Sequence, residues 1–296
     1  MKSAVRQYQR IALFVLFNGT AMNAAQALEF SPGDYEMLPD NATFFLTYLQ
    51  YNHSDAYYSQ GNKAAGDNKL KSEVSMLRLI HAYHPMENVS IQPQVILPFG
   101  SVTAYGDSRA LGDASGIGDV VVGSPVVVNI DPAGTNVLAL GPYLYLPTGH
   151  YNNDNPLNMG ENRWRFLLQA AWIHHFTPHW AFDTGADVSW VTPNDDYGAS
   201  GQTLEQKPRY EYQAYLRYDF TPQTRVGFGG GWITGAESSV GGVNQRDRLN
   251  TTYARVSASH FFTPSVQLQA VLGRDLDVKQ GFKQDLNATL RLGVLF

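Results

Sequence analysis

The chain has 296 residues, no cysteine, and 26 acidic against 21 basic side chains, for a formal net charge of −5. Without cysteine there is neither a disulfide framework nor a thiolate metal site, and the acidic balance argues against nucleic acid as a partner. No apolar run approaches the ~20 residues of a spanning helix, while 17 Tyr, 15 Phe, 5 Trp and 27 Gly suit strands banded with aromatic side chains.

The first 27 residues read as a secretory signal peptide: Lys2, Arg6 and Arg10 form a basic start, Ile11 to Phe17 a short apolar core, and Ala25-Gln26-Ala27 a cleavage site. Cleavage removes three basic and no acidic residues, taking the charge from −5 to −8. Residues 28–41 are polar and turn-rich and read as a short periplasmic lead-in. From residue 42 to the end the pattern is strand-like. About twelve strands are expected, near 43–52, 69–84, 88–99, 118–129, 136–146, 163–176, 180–191, 207–220, 224–235, 250–262, 265–276 and 284–296, each close to the ~9–11 residues that cross a bilayer at a tilt.

The connections alternate in length. Tight turns begin at His84, Ile130, Phe176, Phe220 and Phe262, and the last three share Phe-Thr-Pro. Proline sets such turns and is excluded from central ladder positions. Between them lie long polar loops at 52–68, 100–117, 147–162, 192–206 and 236–249, and a shorter one at 277–282. A propeller with a similar repeat would use four strands per unit and lack this alternation. The expected fold is therefore all-β: a single transmembrane antiparallel up-and-down barrel, with short periplasmic turns and long extracellular loops.

Facing follows from period two. On the sixth strand Trp164, Phe166, Leu168, Ala170 and Trp172 share the lipid face, against Arg163, Arg165 and Gln169. On the eighth, Tyr210, Tyr212, Leu216 and Phe220 oppose Arg209, Glu211, Arg217 and Asp219. The last strand alternates through Leu286, Ala288, Leu290, Leu292 and Val294 to a terminal Phe296, an ending that resembles the signal by which the barrel assembly machinery recognises its clients. The lumen then carries Arg165, Arg217, Arg255 and Arg291 against Asp183, Asp187, Glu211, Asp219 and Asp285, either as a ladder of paired charges or as an eyelet that orients a solute. Arg165, Asp187, Glu211, Arg217 and Arg255 are the constriction candidates. Strands four and five are apolar on both faces, through Val120–Val122, Val126–Val128 and 137–140. That inner strip would suit a hydrophobic solute, or would pack against an inward-folded loop or the lead-in.

No catalytic constellation is evident. His174, His175 and His260 sit beside tight turns with no neighbouring serine motif, no His pair has metal-ligand spacing on a helix, and Gly227, Gly229, Gly230 and Gly231 are followed by no helix, so they mark close approach in the wall. No enzyme activity, cofactor or metal is expected.

Several stretches resemble the outer-membrane barrel family of transporters linked to the meta-pathway of phenol degradation: 34–39 (Asp-Tyr-Glu-Met-Leu-Pro), 97–100 (Leu-Pro-Phe-Gly), 116–119 (Gly-Ile-Gly-Asp), 146–151 (Leu-Pro-Thr-Gly-His-Tyr), 158–164 (Asn-Met-Gly-Glu-Asn-Arg-Trp) and 194–198 (Asn-Asp-Asp-Tyr-Gly). The resemblance implies an outer-membrane channel for small hydrophobic or aromatic compounds, with membrane lipid and a small solute as partners, and it brings no binding residues with it. The alternative is a structural or surface-interaction barrel that works through its loops.

Overall fold

A computed structural model describes residues 29–296; the expected signal peptide lies outside the described residues. Twelve antiparallel strands close into one barrel. They are β1 (Thr43–Ser59), β2 (Asn68–His81), β3 (Gln94–Gly106), a β4 made of three pieces (Asp113–Ile117, Val121–Gly123 and Val126–Asn129), β5 (Asn136–Tyr145), β6 (Arg165–His175), β7 (Trp180–Val191), β8 (Arg209–Thr221), β9 (Thr224–Gly235), β10 (Leu249–Phe261), β11 (Val266–Val278) and β12 (Gly281–Leu295). Closure is made by β1 and β12, in register from Phe44 opposite Leu295 to Tyr58 opposite Gly281. At the tight-turn end Thr43 and Phe296 exchange backbone hydrogen bonds of 2.7 and 2.9 Å. No open sheet edge remains in the wall, which is what a lipid environment requires of a β-structure.

The outer face is apolar, as alternation requires. Trp164, Phe166, Trp172, Trp190, Tyr212 and Trp232 are all exposed there. Cross-strand aromatic pairs form the girdles: Phe166 stacks on Trp190 and Tyr212 on Trp232, each with centroids 5.6 Å apart, toward the long-loop end. Trp180 meets Tyr218 edge-on at 4.7 Å toward the tight-turn end. His174 and His260 belong to that lower girdle, edge-on to Phe176 and Phe262.

Four expectations are corrected. The loops at 52–68 and 100–117 are largely strand: β1 continues to Ser59, and β3 continues to Gly106 and pairs back onto residues 113–117. Polar residues pair there because the hairpins project beyond the lipid band. The loops at 192–206 and 236–249 likewise carry hairpins, which join into a separate four-stranded sheet over the mouth. Asp285 does not enter the lumen. A bulge in the β1–β12 ladder, between His53 and Ala56, leaves it without a cross-strand partner. Its carboxylate accepts the Asp55 amide at 2.9 Å, while Gln284 and Asn287 on either side line the interior. One extra residue reverses the parity of facing. Finally, residues 29–38, read as a periplasmic lead-in, lie inside the barrel against the inner apolar strip, one of the alternatives the sequence leaves open for that strip.

That segment is packed by its own sequence. Ser31–Asp34 forms a turn in which the Asp34 side chain accepts the Ser31 amide at 2.8 Å and Gly33 takes the positive φ the turn needs. Phe30 and Tyr35 form one buried cluster with Val127 of β4, Val137 and Ala139 of β5, Ala171 and Ile173 of β6 and Tyr215 of β8. The strip that is apolar on both faces is thus covered by the N-terminal segment. The wall is thinned opposite it. A Cβ on Gly185 of β7 would stand 2.6 Å from the Phe30 ring, and one on Gly227 of β9 would stand 2.4 Å from Pro32.

Candidate functional site

Inside the wall β2 and β6 to β12 carry charged side chains, and charges removed from water need partners. The N-terminal segment supplies many of them. At the tight-turn end Glu36 binds both Arg217 and, at 3.1 Å, the Nε2 of His175. Arg217 is fully buried and also faces Asp183 at 3.2 Å and Asp219 at 3.4 Å. The amide of Gly33 donates to Asp183 at 2.6 Å. One turn of the segment further in, Asp34 meets Arg291 of β12 at 2.5 Å, and the Tyr35 hydroxyl lies between Gln169 and the Tyr143 hydroxyl. At mid-height Glu29 grips Arg255 of β10 through Nε at 2.9 Å and Nη2 at 3.4 Å.

Above Glu29 lies a cavity of about 180 Å³. Arg165, Arg209, Glu211, Arg255 and Asp275 form its charged wall, and Leu70, Val102, Ile233 and Phe282 its apolar one. A smaller cavity of about 70 Å³ lies between the segment and the wall, bordered by Tyr48, Met76, Tyr145 and Tyr215. Glu29 borders both.

The far end of the lumen is closed by a loop. Leu157 and Met159 turn inward and pack with Tyr57, Leu70, Val74, Val102 and Phe282. The loop is pinned at its base. One Asp119 oxygen accepts the Gly149 amide at 2.9 Å and the other accepts the Glu161 amide at 2.8 Å. Glu161 holds Arg163 at 2.9 Å and also binds Arg165. Gly149 and Gly160 lie back to back, so a Cβ on either would come within 2.8 Å of the other's backbone. Burial works to raise the Glu161 carboxyl, but the two arginines outweigh it and hold the group below its ordinary value.

The structure turns all five constriction candidates inward. Arg165, Glu211 and Arg255 line the larger cavity, and Asp187 faces it through Arg209 at 3.6 Å. Arg217 stands apart, near the tight turns, in its own cluster. The residues not foreseen are Glu29, Asp34, Tyr35 and Glu36 of the segment, together with Arg209, which bridges Asp187 and Glu211. The signal for the segment was present as three acids beside two aromatics, Glu29, Asp34 and Glu36 with Phe30 and Tyr35.

The stretches carrying the family resemblance now fall in two places. Residues 34–39 lie in or beside the luminal segment, and 97–100, 116–119, 146–151, 158–164 and 194–198 meet at the loop closure. The family model described as "Putative MetA-pathway of phenol degradation" matches residues 54–292. The chain belongs to this family. An outer membrane channel from Pseudomonas putida F1 is 42% identical, with a TM-score of 0.89 over 90% of this chain and 100% of that one. The chain is an outer-membrane barrel, and the tight-turn end is the one expected from the sequence to face the periplasm. More distant barrels share the fold alone: the translocator domain of the autotransporter NalP from Neisseria meningitidis (11% identity, TM-score 0.51, 88% of this chain and 90% of that) and the TodX monoaromatic hydrocarbon channel (8%, 0.50, 88% and 91%). No functionally curated protein matches the chain.

Proposed function

We propose that this barrel is a channel for passive uptake of small hydrophobic or aromatic compounds, and that residues 29–38 are its displaceable plug. The observation that carries this reading is the apolar strip of Val127, Val137, Ala139, Ala171 and Ile173 lying beneath Phe30 and Tyr35. Withdrawing the segment uncovers a path with an apolar floor and a polar roof, suited to a solute with a ring and one polar group. Twelve strands enclose less room than the 16–18 of open porins, so a narrow path and a filled lumen go together. The family's description and the channel from Pseudomonas putida F1 support the same reading.

The Gly227→Ala variant tests it. The added methyl would collide with Pro32 and leave the three arginines that hold the segment untouched. Its conductance in planar bilayers is expected to exceed that of the parent, with faster uptake of a labelled phenol into liposomes. A second reading, a closed barrel acting through the four-stranded sheet over its mouth, is favoured by the filling of both ends. That reading is upheld if neither Gly227→Ala nor a 29–37 deletion conducts, and if a strain lacking the gene takes up phenolics at the parental rate.

A further inference from the structure

Among the arginines that hold the N-terminal segment, Arg255 differs from Arg217. Arg217 keeps Asp183 and Asp219 from the wall whether or not Glu36 is present. Among the described residues, Arg255 has Glu29 as its one ion-pair partner within 4 Å, and that partner belongs to the segment. Asp275 is nearby, but one of its oxygens is engaged by the Gln284 amide at 2.8 Å.

The wall nevertheless fixes the guanidinium in place. One Nη donates to the backbone oxygens of Ala254 and Arg274 at 3.1 and 3.3 Å, and the Tyr253 ring lies 4.3 Å from the guanidinium carbon. The remaining edge, Nε and the other Nη, is the edge that matches a carboxylate's two oxygens. It is aimed at the site where the two cavities meet.

The occupant of that site has two parts. Glu29 presents the carboxylate, which also accepts from the Tyr215 hydroxyl at 3.4 Å. Phe30 presents a phenyl ring, edge-on to Tyr215 at 5.8 Å and to Tyr35 at 5.9 Å, inside the apolar cluster. Tyr215 touches both parts. Seen from the wall, Glu29 and Phe30 present the parts of an aromatic acid: a carboxylate on a fixed guanidinium with a ring an arm's length away.

We infer that Arg255 and Tyr215 form the receptor for the carboxylate of a small aromatic monocarboxylate solute, and that Glu29-Phe30 occupies this receptor as a tethered competitor. The inference rests on the channel reading and narrows its solute class from aromatic compounds in general to their acid anions. Without Glu29 the Arg255 guanidinium faces the cavity with no ion-pair partner within 4 Å among the described residues, while Arg165, Lys207 and Arg209 keep Glu161, Glu237 and the Asp187–Glu211 pair, so the one unmatched charge there is positive and favours an anion.

The test is calorimetric titration of the purified barrel in detergent with benzoate and with benzamide, which share the ring and differ in charge. Benzoate is expected to bind more tightly than benzamide. Because a tethered competitor reduces apparent affinity by the fraction of sites it fills, Glu29→Gln is expected to tighten benzoate roughly tenfold, about the effect of one charge-assisted contact, and to leave benzamide little changed. Arg255→Gln is expected to erase the difference between the two probes. Should Arg255→Gln not fold, the comparison of parent with Glu29→Gln decides alone. Equal binding of benzoate and benzamide to Glu29→Gln overturns the assignment. Uptake into liposomes is read separately: a benzoate preference without transport of either probe by any variant overturns the channel reading and leaves the receptor assignment supported.

Discussion

The two ends of the lumen are closed by different means. At the periplasmic end a tail does the work. Its described residues 29–38 are joined to the wall at Asn41 and Thr43 and held by three arginine ion pairs, two of whose acids are partly wet: the Glu29 side chain is 29% exposed and Glu36 31%, against 14% for Asp34. At the extracellular end a loop does it, tethered on both sides, with Glu161 only 10% exposed between two buried arginines and with Leu157 and Met159 in an apolar cluster. Wet ion pairs contribute little and exchange readily with water, whereas a buried triad surrounded by packed side chains is costly to open. On these grounds the periplasmic closure is the more easily opened of the two.

Each variant below presses on one side of that contrast. Deleting residues 29–37 is expected to have the largest effect on function, converting a nearly silent barrel into a conducting one with an intact β-sheet spectrum; an unchanged conductance would show that the extracellular loop alone sets the resistance. Arg217→Ala strands Asp183 beside Asp219 and Glu36 and is expected to cost ~3–5 kcal/mol, read as a lower unfolding temperature of the heat-modifiable gel band. An unchanged temperature would place water around that cluster. Glu161→Gln leaves Arg163 and Arg165 short of charge and is expected to lower stability by ~3 kcal/mol, with little gain in conductance. A gain matching the tail deletion would erase the contrast between the two ends. The smallest effect is that of pH. The Glu161 carboxyl lies below its ordinary value, so its contribution is full above the usual carboxylate range and is lost as pH falls through the lowered folded value. Acid is expected to loosen the extracellular loop, seen as faster proteolysis at 147–162 by an acid-active protease, and Glu161→Gln is expected to flatten that dependence.

Much of the barrel was legible because lipid leaves a strand little choice. Period-two alternation sets the facing of Trp164 through Trp172 and of Tyr210 through Phe220, and the Phe-Thr-Pro turns mark the periplasmic edge. Legibility failed where the backbone departs from that period. Asp285 looks inward by counting and is not, because a bulge is invisible to a pattern of polar and apolar letters. β4 looks continuous from 118 to 129 but breaks where Val120 bonds to Thr148 and Leu146 instead of a neighbouring strand. The sequence leaves the place of residues 29–38 open between a periplasmic lead-in and a cover for the inner strip, because Ser-Pro-Gly-Asp is turn chemistry that a polar lumen accepts as water does. The candidate charges were found one by one from their parity, but their grouping was not: Arg217 and Arg255 share a face on neighbouring lumen walls, yet only the tail reveals that one keeps its acids and the other does not.

The three arginines gripped by the tail stand on β8, β10 and β12, the last of which is the strand that seals the cylinder against β1. A site spread over strands so far apart in the chain does not exist while the sheet is still an open ribbon. Residues 29–38 precede every strand in the sequence, yet their full set of partners exists only once the seam is sewn.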